Sequence, residues 1–109
     1  VFTPTDNVVM AAEVTVAETL NEAGIPHYTG ADSFVAAGAF ATCGVNYTEL
    51  GTYTASMAMD ILLGGAVPEF HVMDGGIITV NTETAATLGI DYSAFASMAN
   101  TVVEVKTGE

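Results

Sequence analysis

The residues whose chemistry stands out are polar groups set just after apolar runs. In "VFTPTDN" an apolar opening gives way to Thr5, Asp6 and Asn7. Each is a favoured helix N-cap type, and an acid in a first helical turn complements the helix dipole. The same hydroxyl, carboxylate and amide would bind a small polar ligand if they faced the crevice outside the carboxyl end of a strand. Both readings stay open, because one side chain can cap while its neighbours face a ligand. Asp32, in "HYTGADS", follows a second apolar run. If the two strands are neighbours, Asp6 and Asp32 bring two carboxylates to one crevice, which suits a cationic group such as an ammonium. The alternative for Asp32 is a loop acid capping a turn. Asn46 and Tyr47 follow a third run, where the tyrosine ring can stack on a ligand or pack at a rim.

Other reactive side chains point to structure. His27 and His71 sit among apolar residues with no Cys or second His at metal-ligand spacing, so each is expected to be a hydrogen-bonded structural histidine. Cys43, the single cysteine, has no base beside it and no disulfide partner; it is expected to be a packed thiol in a buried strand. The glycines match neither the dinucleotide-binding nor the phosphate-loop spacing, there is no G-x-S-x-G elbow, and no arginine is available to clamp a phosphoryl group. No catalysis, cofactor or metal is expected.

The elements that must hold these residues follow from periodicity. Residues 1–3 read as the end of a buried strand, stopped by Pro4. Over residues 8–23, Val9, Ala12, Val16, Leu20 and Ala23 share one helical face, opposite Glu18 and Glu22, and Gly24 suits the C-terminal left-handed position. "IPHYTG" reads as a short strand, Asp32 and Ser33 as the start of a helical turn, and "AGAFATCGVNY" as another strand. A helix is expected over residues 48–63, burying Leu50, Tyr53, Met57 and Ile61 and ending at Gly64 and Gly65. "EFHVM", "GGIITVN" and "TVVEV" read as strands. Asn81 or Thr82 can cap the helix "TETAATLG", and Asp91 or Ser93 the helix "SAFASMA". This order predicts an α/β fold with a mainly parallel sheet and flanking helices.

Composition narrows the partners. With 109 residues there is room for one core, and 50% hydrophobic residues argue against disorder. Thirteen acids against one base, Lys106, give a net charge of -12, which repels nucleic acid and anionic lipid alike. Only 13% of residues are charged, against roughly 25% in an average domain, so the acidity reflects missing lysines more than added acids. The most apolar window, "SFVAAGAFATCGV", falls short of the roughly 20 residues a membrane span needs. Opening on Val1 in a strand already under way is the pattern of a fragment or trimmed product.

The order "PTDN", "NEAGIP", "AGAFATCGVNYTELGTYTASMAMDILLGG" and "ITVNTETAATLGID" resembles the ABC transporter substrate-binding family that includes tryptophan- and tyrosine-associated solute-binding lipoproteins. The resemblance implies a type I periplasmic-binding-protein fold, two flavodoxin-like lobes closing on a small ligand about a hinge. The chain would match the C-terminal third. About residues 1–38 would belong to the second lobe, and about 39–109 to a hinge crossing near residues 39–46 and the closing elements of the first lobe. By the same resemblance Thr5, Asp6, Asn7 and Asp32 lie on cleft loops as ligand-binding residues. Asn46, also counted among them, stands where an acid is common. The implied protein is an extracytoplasmic importer component, periplasmic or lipid-anchored. It would capture a small molecule such as an aromatic amino acid and hand it to a permease. The competing readings are a self-associating structural fragment, forming homo-oligomers through exposed strand edges, and a flavodoxin-like cofactor-binding enzyme.

Overall fold

A computed structural model describes every residue from Val1 to Glu109. The chain opens with strand β1 (Phe2–Thr3), and Pro4 then breaks the strand so that Asp6 can cap helix α1 (Asn7–Ala11). Helix α2 (Glu13–Glu22) follows. The single helix expected over residues 8–23 is therefore two, because Ala12 leaves helical geometry at φ -112, ψ 10. Gly24 takes the left-handed conformation expected of it, at φ 69.

Strand β2 (Tyr28–Thr29), helix α3 (Asp32–Ala36) and strand β3 (Ala41–Gly44) come next. β3 is shorter than the apolar run suggests, since Asn46 departs to cap helix α4 (Tyr47–Leu62). The chain then runs without regular structure to strand β4 (Ile77–Asn81), helix α5 (Thr82–Leu88), helix α6 (Phe95–Met98) and strand β5 (Thr101–Val105). "EFHVM" forms no strand; Phe70 and Val72 lie exposed with no strand alongside. Asn81 caps α5, whereas α6 has no side-chain cap, because Asp91 accepts from the Ser93 amide before the helix begins.

The five strands form one sheet in the order β1-β2-β3-β4-β5. β1, β2 and β3 are parallel, β4 is antiparallel to β3, and β5 is parallel to β4. The sheet is thus mainly parallel, as the alternation of elements predicts, and it continues unbroken from β2 to β3 across residues 38 and 39. α3 covers the face bearing Thr79 and Asn81, since Asp32 and the Val35 carbonyl bond to them, and it buries Phe34 and Val35 completely. Phe40, Ala41, Val80 and Ala85 form the core cluster, extended by Leu88, Ile90, Tyr92, Phe95 and Val102.

Asn81 ties these layers together. Its Oδ1 accepts from the Glu83 and Thr84 amides at 3.1 and 3.0 Å, and its Nδ2 donates to the Val35 carbonyl at 2.9 Å and Thr107 Oγ1 at 3.0 Å. All four hydrogen bonds available to a buried amide are engaged. α4 differs: none of its residues is buried, and the stripe expected to be core leaves Leu50, Met57 and Ile61 half-buried and Tyr53 exposed. The helix is made by its cap and its period; packing within this chain contributes little.

Candidate functional site: the carboxyl edge of the sheet

Because β1, β2 and β3 are adjacent and parallel, their carboxyl ends open on one edge of the sheet. The loops leaving them carry Thr5 to Asn7, Asp32 and Asn46, so all five sequence-identified residues share that edge. β4 and β5 run the other way and begin there, bringing Gly76 and Asn100 alongside.

The first two loops touch. A Cβ built on Gly30 would stand 2.8 Å from Thr5 Oγ1 and 3.1 Å from Thr5 N, so the β1–α1 loop lies directly on the backbone of the β2–α3 loop. Asp6 caps α1 through Oδ1, accepting from the Val8 and Val9 amides at 2.9 and 3.1 Å. The capping reading holds for Asp6, yet it occupies only one carboxylate oxygen. Asn7, the first residue of α1, is exposed and commits its side chain to nothing within the chain. Asp32, the first residue of α3, accepts at Oδ1 from Thr79 Oγ1 at 3.3 Å, and its second oxygen is free. Asn46 caps α4 through Oδ1, from the Thr48 and Glu49 amides at 2.9 and 3.1 Å.

The edge divides into two parts. Asn46 lines a small polar cleft of about 80 Å³ with Glu49, Asp74, Gly76, Asn100 and Thr101. Thr5, Asp6, Asn7 and Asp32 line no cavity; they form an open polar rim. Glu49, Asp74 and Asn100 were missed in the sequence. Glu49 follows Asn46 by three, the spacing of a first helical turn, whereas Asp74 and Asn100 arrive only through the pairing of β4 and β5.

A larger cleft, about 320 Å³, lies on the sheet face rather than its edge, lined by Phe2, Tyr28, Cys43, Ile78, Phe95 and Met98 among others. Cys43 is exposed here, which corrects the expectation of a packed thiol. In β3 it alternates with Thr42, so it shares the face of Ala41 and points away from α3.

His27 meets the expectation of a hydrogen-bonded structural histidine, whereas His71 does not, being exposed and without a side-chain hydrogen bond. His27 is fully buried, its Nε2 lies 2.6 Å from Thr3 Oγ1, and its ring meets Phe34 edge-on. Burial holds its pKa below the ordinary value, and the Val1 ammonium pushes the same way. His71 is exposed and stacks on Tyr53 at a centroid distance of 4.1 Å, outside any strand. Away from the edge, hydrogen bonds from the Ser93 amide and hydroxyl hold the Asp91 carboxyl low, and the hydrogen bond to Glu104 raises the Tyr92 phenol. No group of three His, Cys, Asp or Glu side chains converges to hold a metal ion.

The arrangement offers hydrogen bonds and negative charge, with no nucleophile and base in contact. A family model described as ABC transporter substrate binding protein matches residues 1–103. The chain belongs to that family. It is a family of substrate-binding proteins, not enzymes. The tyrosine-binding protein of Clostridioides difficile (strain R20291) is 32% identical over 89 residues, which are 80% of this chain and 26% of that protein. The ligand-free, open structure of a substrate-binding protein with adhesive properties from Clostridium difficile superposes with a TM-score of 0.76 at 32% identity, over 97% of this chain and 35% of that one. A Streptococcus pneumonia domain in complex with L-Trp gives a TM-score of 0.67 at 26% identity, over 94% of this chain and 36% of that one. The chain thus spans about a quarter to a third of the length of these relatives.

Proposed function

We propose that this chain supplies one wall of the ligand cleft in the solute-binding component of an ABC importer, and that the ligand is an aromatic amino acid or a close relative. The observation that carries this reading is the shared edge. Three parallel strands deliver Thr5, Asp6, Asn7, Asp32 and Asn46 to one side of the sheet, where Asp6 and Asp32 each keep an oxygen free. Two such oxygens suit the ammonium of an amino acid, and the Asn7 amide can serve either a donor or an acceptor. The tyrosine and tryptophan named for two relatives agree with that polarity.

In this reading residues 1–38 contribute to the second lobe, and residues 39–109 carry the crossing and the closing elements of the first. The open polar rim becomes a closed site when the opposite lobe swings onto it, so the ligand stabilises the closed state by bridging both walls. One wall alone buries too little of a ligand whose site normally covers roughly 70–90% of its surface. The complete receptor would work outside the cytoplasm, periplasmic or lipid-anchored, and deliver its cargo to a membrane permease. Calorimetric titration of the full receptor with a panel of amino acids, sugars and nucleosides tests the proposal. Binding confined to aromatic amino acids is expected, and no binding across the panel would defeat it.

A further inference from the structure

Four threonines stand side by side in the sheet: Thr3 pairs with Thr29, Thr29 with Thr42, and Thr42 with Thr79. Cross-strand partners point to the same face, so a row of hydroxyls crosses β1 to β4 on the side covered by α3. Thr29, Thr42 and Thr79 are all buried. One end of the row rests on His27, whose Nε2 lies 2.6 Å from Thr3 Oγ1. Thr3 Oγ1 also pairs with Thr29 Oγ1 at 3.4 Å. Thr3 Oγ1 can donate to His27 Nε2 or accept from it, so either imidazole tautomer makes this bond. The other end rests on Asp32, where Thr79 Oγ1 donates to Oδ1 at 3.3 Å.

The row is thus hydrogen-bonded at both ends, to His27 and to the Asp32 carboxylate. Thr42 is the exception: its Oγ1 is buried, and no donor or acceptor of the chain reaches it, although its neighbours on either side are hydroxyl residues of the same row. A buried hydroxyl is almost always paired, with a protein group or with ordered water.

We propose that Thr42 holds one internal water that joins the Thr29 and Thr79 hydroxyls, and that this makes Thr42 a positioning residue for Asp32. The water bonds to the Thr29, Thr42 and Thr79 hydroxyls, so the run from His27 to Asp32 is continuous and each bond polarises the next. Asp32 Oδ1 is then fixed, and Oδ2 presents a constant direction at the sheet edge. The hydration of Thr42 stands on the row alone, whereas its consequence for ligand affinity rests on the reading of Asp32 as a ligand-binding group.

Thr42→Val removes the hydroxyl while keeping the side chain's shape, and Thr42→Ser keeps the hydroxyl; both are made in the full receptor. Crystal structures are expected to show an ordered water within hydrogen-bonding distance of residue 42 in the unaltered protein and in the serine variant, and none in the valine variant. Titration with L-tyrosine is expected to weaken about threefold to tenfold in Thr42→Val, to hold in Thr42→Ser, and to show no further loss when Thr42→Val is added to Asp32→Asn. A dry Thr42, with a valine variant that melts higher and binds unchanged, would overturn the proposal. If Asp32→Asn leaves affinity intact, the ligand role of Asp32 fails, while the water at Thr42 is still decided by the density.

Discussion

Thr5 Oγ1 lies 2.8 Å from the point a Cβ on residue 30 would occupy, with the Thr5 amide nitrogen at 3.1 Å. Gly30 is therefore required by contact between two loops, and its backbone is in an ordinary region, since it is absent from the positive-φ glycines. Gly30→Ala must push the Thr5 loop outward at a cost of about 1–3 kcal/mol, the usual range for overpacking. Thr5→Ala added to it should return only part of that loss, because the backbone nitrogen remains in the way. Urea unfolding of the two variants measures both effects.

Asn81 joins β4 to α5, α3 and Thr107 through its four hydrogen bonds, in a site with no exposure. Asn81→Ala removes a helix cap and leaves the Val35 carbonyl without its side-chain donor, so a loss of about 2–4 kcal/mol is expected. Asn81→Asp keeps the capping oxygen but puts a charge against two acceptors. It should be no better than alanine in a thermal melt.

His27 gives the fold a pH dependence of known sign. Burial lowers its folded-state pKa from the ordinary 6.5. Above 6.5 both folded and unfolded chains are neutral at this residue; as pH falls below it, the unfolded chain takes up the proton first, and stability falls until the lowered folded-state value is passed. Melting temperature should therefore drop as pH falls through 6.5, and His27→Gln should remove that share of the drop.

Much of this architecture was legible because each signal was local. Pro4 before a polar triplet, Gly24 after a helical period, and Asn81 before "TETAATLG" each mark a boundary through the conformation of one residue. The break at Ala12 was hidden, since alanine is a good helix former and nothing in its neighbourhood opposes a continuous helix. On α4, Leu50, Tyr53, Met57 and Ile61 keep the helical spacing of a core stripe, yet none is fully buried. Spacing shows which residues share a face without showing what covers it. "EFHVM" has strand composition and no strand to pair with, and pairing decides. At the sheet edge, Thr5, Asp6, Asn7, Asp32 and Asn46 were found from their positions after apolar runs. Thr79 and Asp74 could not be, because β4 reaches that edge through a long connection and runs antiparallel to β3.

The most direct measurement is calorimetric titration of the full receptor carrying Asp6→Asn or Asp32→Asn, beside the unaltered protein, with L-tyrosine and L-tryptophan. Asparagine at position 6 keeps the α1 cap, and at position 32 it keeps an acceptor for Thr79, so the fold should be unchanged while each carboxylate charge is lost. At least about tenfold weaker binding is expected in each variant, as when a charged partner of a ligand's ammonium is removed. Affinities equal to that of the unaltered receptor in both variants would contradict the assignment of this edge as the ligand wall.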